Sequence, residues 1–455
     1  MKNAMETLYS YRPRGERGAT IVLVAVLLVV IVGFAALAID LSHLYVVRNE
    51  LQNAADAGAL AGARVLYNDT GTSINSGANQ EAYDVATANN ATTAAGALAV
   101  DVNWTSGNTG DVQRGHWSFT RKEFTPSDTL TVINLAEYST EDLDLMDGIH
   151  FTDTDGSTPI FINAVKAVAR RQNTPAASFF ARLFGYQDFV LSAEAVAYIG
   201  FAGNLRPTEA EQPIGICKQA ITDDDGKVTC NTGRMFNSGG GTTNNTAAWT
   251  NFSQPCDTAS ASSMTPLICG SGNPDTLKFN TGMGTVGGVQ ASVYNDLLNC
   301  WLNSPGPKDA RGYPTERWTQ TLPVIDCPGN NVGPCSDVIG AVTVDFLWVK
   351  QSGADPGWSD IPMQMEGWEC SNWVAAGRPD NINSGLTETQ RQDCWREFAE
   401  NFGLETYDGN SVGDLTASDL QRTMYFLPTC EPQEPSGITG GENFGVLASI
   451  PVLVK

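Results

Sequence analysis

The sequence predicts an α+β protein. A single N-terminal transmembrane helix continues into a long helix packed on a β-sheet domain, and a disulfide-rich, mainly β or α+β domain follows. Three observations carry this expectation. Gly18–Ile39 is 22 residues without one charge, rich in Val, Leu, Ile and Ala. After residue 97 the apolar pattern changes from helical spacing to alternation. All ten cysteines lie between Cys217 and Cys430, so none falls in the first 216 residues.

Each element follows from its residues. Residues 1–17 form a short polar tail. At about 1.5 Å per helical residue, Gly18–Ile39 is roughly 33 Å long, against about 30 Å for the bilayer core. A cleavable signal has an apolar region of about 7–15 residues and then a small-residue cleavage site. Here the run is longer and its C-terminal flank is amphipathic, so a retained anchor is expected rather than cleavage near Ala38. No proline interrupts Gly18–Leu66. In the second half of that stretch Leu44, Leu51, Ala55, Gly58, Gly62 and Val65 recur at helical spacing between polar residues. The small side chains Ala54, Ala55, Gly58, Ala61 and Gly62 suit close packing on the chain's own sheet. Gly58–Gly62 has the small-xxx-small spacing of helix dimers but lies outside the span.

Residues 70–77 read as loop. Ala78–Ala97 is Ala-rich and helical in character, interrupted at Asn89-Asn90. Leu98–Trp104 and Val112–Phe119 read as neighbouring strands joined across Gly107–Gly110. Asn163–Arg170 and Val190–Ile199 are further strands. Pro175–Phe184 reads as a short helix with Phe179, Phe180, Leu183 and Phe184 on its buried side. Beyond residue 201 glycine, asparagine and cysteine rise, and Gly239–Thr246 is loop. Leu322–Ile325, Val338–Val349 and Phe444–Val454 read as core strands, with helices at Trp395–Phe402 and Leu415–Leu420. The expected organisation is tail 1–17, span 18–39, helix-plus-sheet domain 40–200 and Cys-rich domain 201–455.

Composition excludes several functions. The formal net charge is −23, and residues 1–40 contribute +1 of it. The remainder is repelled by nucleic acid and by anionic headgroups. Lys2, Arg12, Arg14 and Arg17 precede the span and Asp40 follows it. The positive-inside rule then places the N-terminus in the cytoplasm and the bulk outside. An even count of exported cysteines argues for disulfides. Cys217–Cys230, Cys256–Cys269, Cys327–Cys335 and Cys370–Cys394 have spacings that permit local bridges, leaving Cys300 and Cys430, and connectivity stays open. Cys217 and Cys230 flank Ile221–Thr229, a hairpin with its turn at Asp224–Gly226, so a bridge across that hairpin is expected.

No constellation points to catalysis or to a cofactor. There is no CxxC, and His43, His116 and His150 are all far from the cysteines, so zinc is disfavoured. Scattered histidines and the lack of Gly-x-Ser-x-Gly disfavour a triad hydrolase. Asp153-Thr-Asp155-Gly-Ser157 has the alternating oxygens of a calcium loop, but Ala164 stands where the closing Glu is needed. It and Asp223–Asp225 are better read as turns. Asp40 and Asp56 read as solvated or capping charges. The tryptophans crowd the Cys-rich region, where core packing is the bland reading and a glycan- or surface-binding face the sharper one.

The helix resembles the N-terminal module of TadG-like proteins of the tight-adherence (Flp) pilus-assembly system. The matching residues are Arg17-Gly18, the apolar run ending in Gly33–Asp40, Leu44-Tyr45 and Leu51–Gly62. Ala176–Gly185 followed by Leu191–Ala197 is similar to the "FFARLFG…SAxAVA" segment of that family. The resemblance covers the first 200 residues. It implies a non-catalytic component of a bacterial inner membrane pilus or secretion apparatus, with other assembly or secretion proteins as partners and with self-association through the anchor helix. No Asp-x-Ser-x-Ser metal motif is present. The fifth residue after Gly18 is Leu23 rather than Glu, so prepilin-type cleavage is not expected. The alternative is a membrane-tethered adhesion or polymer-binding protein that uses the Trp-rich region.

Overall fold

The computed structural model describes residues 16–93, 96–133, 135, 138–145, 161–222, 228, 234–235, 247–288, 290–328, 332–350, 360–404, 423–427 and 434–455. Helix α1 is Glu16–Arg64, one unbroken rod of 49 residues. Its first half is uncovered. Its second half buries Val47, Leu51, Ala54, Ala55, Ala59 and Ala63 completely. The covering elements are helix α2, Ala78–Ala88, and a sheet.

That sheet is built by β3 (Val112–Ser118), β4 (Glu123–Pro126), β5 (Ala164–Ala177), β6 (Asp188–Tyr198) and β14 (Val452–Leu453); a separate hairpin, β1 (Asn90–Thr93) with β2 (Gly96–Ala99), flanks it. The order is β14-β6-β5-β3-β4 and every pairing is antiparallel. Side chains alternate across a strand. Val165, Ala167 and Ala169 on β5 and Ala193, Ala195 and Ala197 on β6 therefore face α1. Ala164, Val196 and Tyr198 face the other way, against Trp117. Alanines on both strands let the helix approach closely.

The Cys-rich region is a second layered body. Its strands are β7 (Ile214–Cys217), β8 (Arg234–Met235), β9 (Ala247–Thr250), β10 (Thr281–Val286), β11 (Trp318–Ile325), β12 (Cys335–Val349) and β13 (Met424–Phe426). The order is β10-β9-β7-β11-β12-β13-β8, and β10 also pairs with β12, so five strands close into a ring. Only β7 and β11, among the described strands of this sheet, run parallel. Helices α3 (Ala291–Leu302) and α4 (Glu388–Asn401) add Trp301 and Trp395 to a core that already holds Trp249, Trp348 and Trp373. Thr387 and Gln390 form a capping box that starts α4.

Several expectations need correction. Leu98–Trp104 is not a strand paired with Val112–Phe119: Leu98 belongs to the β1–β2 hairpin, β3 pairs with β4 and β5, and the two stretches meet only where Asn103 bonds Asp111. Pro175–Phe184 is not a helix with a buried aromatic side. Strand β5 runs through Ala177, the helical turn is only Ala181–Phe184, and Phe179, Leu183 and Phe184 are exposed. Within Phe444–Val454 only Val452–Leu453 is strand, although Phe444, Val446, Leu447 and Ala448 are buried. Moreover, this segment is shared between the two bodies: Phe444 and Val446 pack with the Cys-rich strands, and the rest reaches the first sheet. β14 edges the first sheet, Leu447 sits in the first core, and Asn443 donates to the carbonyls of Leu135 and Tyr138 at 2.7 and 2.8 Å. The chain thus leaves the first sheet after β6 and returns to it at β14.

The disulfides are mostly long-range. Cys217–Cys327, Cys256–Cys335, Cys269–Cys300 and Cys370–Cys394 are bonded, with sequence separations of 110, 79, 31 and 24. The expected Cys217–Cys230 bridge is therefore corrected, and of the other spacings that permit local bridges Cys256–Cys269 and Cys327–Cys335 are not used. Sheet pairing is the reason: Cys217 lies opposite Ile325, beside Cys327, and Cys335 lies opposite Gly284. Thr222 and Val228 do form the antiparallel bridge that a hairpin there requires. Cys230, Cys430, the loop 239–246, Asp153, Asp155, Asp223–Asp225 and the helix expected at 415–420 lie outside the described residues.

Candidate functional site

The region that sets this chain apart is the point where α1 changes from an uncovered rod to a covered one. The apolar run ends at Ile39, and Asp40 is the first charge after it. Asp40 is not solvated. Its side chain is buried, and both oxygens accept from the backbone of the turn that follows β5. Oδ1 accepts from the N–H of Phe179 at 2.7 Å and of Phe180 at 3.2 Å. Oδ2 accepts from Phe180 at 3.1 Å and Ala181 at 2.6 Å. One carboxylate thereby satisfies three consecutive backbone donors that the sheet cannot pair. Burial pushes the Asp40 pKa up. The bonds from Phe179, Ala181 and Phe180, with His43 nearby, outweigh it, so the carboxyl is held below the usual carboxylate range. The His43 ring packs edge-on to Phe179, with centroids 5.0 Å apart.

Nearly three helical turns further along, Glu50 repeats the device. Its carboxylate accepts from Thr92 N–H at 2.6 Å and Thr92 Oγ1 at 2.9 Å, fixing the β1–β2 hairpin to α1. Arg171, fully buried, donates to the carbonyls of Ala91, Leu98 and Ala99 in the same hairpin. Arg170 grips Asp111 with two bonds, at 2.7 and 2.8 Å. Gln52 bonds Asp56 and the carbonyl of Glu194 on β6.

The small-residue stripe lies deepest. Ala54 and Ala55 are fully buried. A Cβ on Gly58 would stand 2.8 Å from both the Ala82 carbonyl and the Ala86 methyl. One on Gly62 would stand 2.8 Å from the Ala82 methyl and 2.9 Å from Val165. These positions are taken up by α2 and β5 of the same chain.

The arrangement holds elements together; it does not assemble reacting groups. Among the described residues no cluster of three or more His, Cys, Asp or Glu side chains is placed to hold a metal. His116 bonds the carbonyls of Phe161 and Asp144 through its two ring nitrogens, at 2.8 and 2.9 Å. Five of the tryptophans weighed as a binding face, Trp249, Trp301, Trp348, Trp373 and Trp395, are core residues; Trp318 and Trp368 are half-buried, and Trp358 lies outside the described residues. The role of Asp40 was not visible in the sequence. Its partners are backbone groups 139–141 residues away, and only a charge set directly on the end of an apolar run marks the place.

Asp40→Ala leaves three part-buried N–H groups without their acceptor and is expected to weaken the turn by about 1–2 kcal/mol. Amide hydrogen exchange at Phe179–Ala181 should then quicken roughly 10- to 30-fold, with Asp40→Asn intermediate. The ionised form is the one bonded. Its contribution is present above the unfolded carboxylate value near 3.8 and is lost as pH falls through the lower folded value. Unchanged exchange in the Ala variant would show the bonds to be idle.

A helix half bare and apolar, half embedded in an antiparallel sheet, defines an anchored helix-on-sheet module. Residues 18–65 match the family model for Flp pilus-assembly TadE/G-like proteins, and residues 61–197 match that for Tad-like Flp pilus assembly. The N-terminal module of this chain therefore belongs to the Tad family of Flp pilus-assembly proteins. No curated protein and no solved structure matches the chain.

Proposed function

We propose that this chain is a membrane-anchored, non-catalytic structural or assembly component of a Tad (Flp) type pilus or related secretion apparatus. Residues 1–17 lie in the cytoplasm, 18–39 cross the bacterial inner membrane, and the bulk is periplasmic. The observation that carries this reading is the division of α1. Its most apolar stretch is wholly uncovered, with Ile21, Leu23, Leu28 and Phe34 facing outward, while the continuation is sealed by α2, β5 and β6. An apolar helix face of that length is stable only where lipid or partner helices cover it. The Tad match supplies the setting. A single rod rigidly joins the span to the sheet, so displacement of the anchor by a partner helix moves the whole proximal domain. Residues 40–200 with the returning segment 447–455 form that domain, and the Cys-rich body is carried beyond it. Partners are other pilus-assembly or secretion proteins, with nucleic acid excluded by charge.

Deletion of the chain is expected to abolish pili or the linked secretion, and affinity capture of the detergent-solubilised protein is expected to recover assembly components. Intact pili and intact secretion in the deletion strain would overturn the assignment.

A further inference from the structure

The turn that Asp40 holds carries a largely uncovered apolar tip, whose Phe179 ring packs edge-on to His43. Between β5 and β6 the chain presents Phe179, Leu183, Phe184 and Tyr186, and the start of β6 adds Val190; they are 49%, 78%, 80%, 64% and 64% exposed. Leu183 and Phe184 sit on the helical turn Ala181–Phe184, which Gly185 closes in the left-handed region with φ of 97°. Arg182 is exposed among them. Away from α1, the other exposed large apolar side chains of the sheet domain are less so, Leu98, Phe119, Leu130 and Leu453 at 41%, 47%, 46% and 42%, and Val165 and Phe201 are almost wholly buried. A tip this apolar at the end of a hairpin costs solubility unless something covers it.

The bonds to Asp40 fix where the tip lies. They hold Phe179–Ala181 against α1 at the first residue beyond the apolar run, level with the exposed Ile39, Leu41 and Tyr45. If the 22 residues of Gly18–Ile39 fill a core of about 30 Å, that level is the boundary between acyl chains and headgroups. Aromatic rings with polar edges concentrate at that boundary, and an arginine there reaches for phosphate.

We propose that the β5–β6 tip, residues 179–190, is seated in the outer leaflet of the membrane that α1 crosses, as a second contact beside the span. It rests on the anchor reading above, and the occupant it names is lipid. Leu183 and Phe184 enter the acyl region, Tyr186 lies at the carbonyl level, and Arg182 meets headgroup phosphate. Two contacts a fixed distance apart remove the freedom of α1 to rotate about its own axis. The sheet, and the Cys-rich body beyond it, then keep one azimuth and one tilt relative to the membrane plane.

The test places a photoreactive phenylalanine analogue singly at Leu28, Leu183, Phe184 and Val374 in the full chain, irradiates native membranes, and separates lipid from protein adducts by mass spectrometry. Lipid adducts are expected at positions 28, 183 and 184. None is expected at Val374, a 38% exposed residue of the Cys-rich body. With the probe at Val190, a Leu183→Glu/Phe184→Glu background should lose the lipid adduct while the chain stays in the alkali-washed membrane fraction. Lipid adducts at Leu28 with only protein adducts, or none, at Leu183 and Phe184 would overturn the proposal and leave the anchor standing, with the tip assigned to a protein partner or a second copy. Absence of lipid adducts at Leu28 as well would overturn the anchor reading and this one with it.

Discussion

Gly62→Leu is expected to loosen α2 from α1 and to destabilise the membrane-proximal domain strongly. Even one added carbon at Gly62 falls 2.8 Å from the Ala82 methyl, 2.9 Å from Val165 Cγ1 and 3.0 Å from the Ala78 carbonyl. None of these can swing away. Two belong to a helix held across its length, and Val165 is fixed in the centre of the sheet. Overpacking of a well-filled core costs about 1–3 kcal/mol, more when rigid neighbours must move, and leucine places three carbons beyond the first. A loss of roughly 4 kcal/mol is between about a quarter and four-fifths of the margin of a domain whose stability lies at about 5–15 kcal/mol. Gly62→Ala sits between: the helix gains about 1 kcal/mol in propensity and spends it on the same contact. Gly58→Leu repeats the clash against the Ala82 carbonyl and the Ala86 methyl. Thermal unfolding of the purified full chain, followed by limited proteolysis of residues 78–200, reads the effect. An unshifted transition in Gly62→Leu would mean that the stripe packs elsewhere in the native protein.

Trp395→Ala should be as costly in the second body. Trp395 is 1% exposed, and its ring lies 5.2 Å from Trp348, 5.0 Å from Tyr425 and 5.6 Å from Phe398, centre to centre. It joins α4 to β12 and β13, so the cavity opens at the junction of helix and sheet. Large-to-small changes of this kind cost about 3–5 kcal/mol. The variant should lower the unfolding temperature of the Cys-rich body while the proximal domain keeps its own transition. The same measurement weighs the adhesion reading. If Trp395→Ala left stability unchanged and abolished binding to a surface polymer, the tryptophans would be a ligand face after all.

Much of the proximal architecture was legible because its signals are local. A 22-residue uncharged run followed by helical spacing specifies one rod, and alternation through residues 163–170 and 190–199 specifies two strands. What was hidden depends on pairings between distant residues. Cys370–Cys394 spans 24 residues and was among the spacings noticed; Cys217–Cys327 spans 110 and follows from β7 lying parallel beside β11, which no local pattern encodes. Phe179, Phe180, Leu183 and Phe184 misled for a different reason. Their spacing is that of a buried helical face, but periodicity does not say whether protein or another apolar medium provides the cover. Asp40 was read as an ordinary flanking charge because backbone N–H groups carry no residue signature. The two-residue strand β14 is too short for alternation to register.

The outgoing and returning strands of the Cys-rich body pass through one doorway. Phe201 bridges Leu447, Ala202 bridges Thr439, and the N–H groups of Gly440 and Gly441 both reach the Phe201 carbonyl. A pull on the distal body is accordingly divided between two covalent cords rather than borne by one. The load enters the proximal sheet where β6 and β14 are cross-linked by their ladder. Because the cords leave side by side, the distal body is also a cassette: another fold with its ends close together could be spliced at the same threshold, and the rod, the sheet and their attachments would be undisturbed.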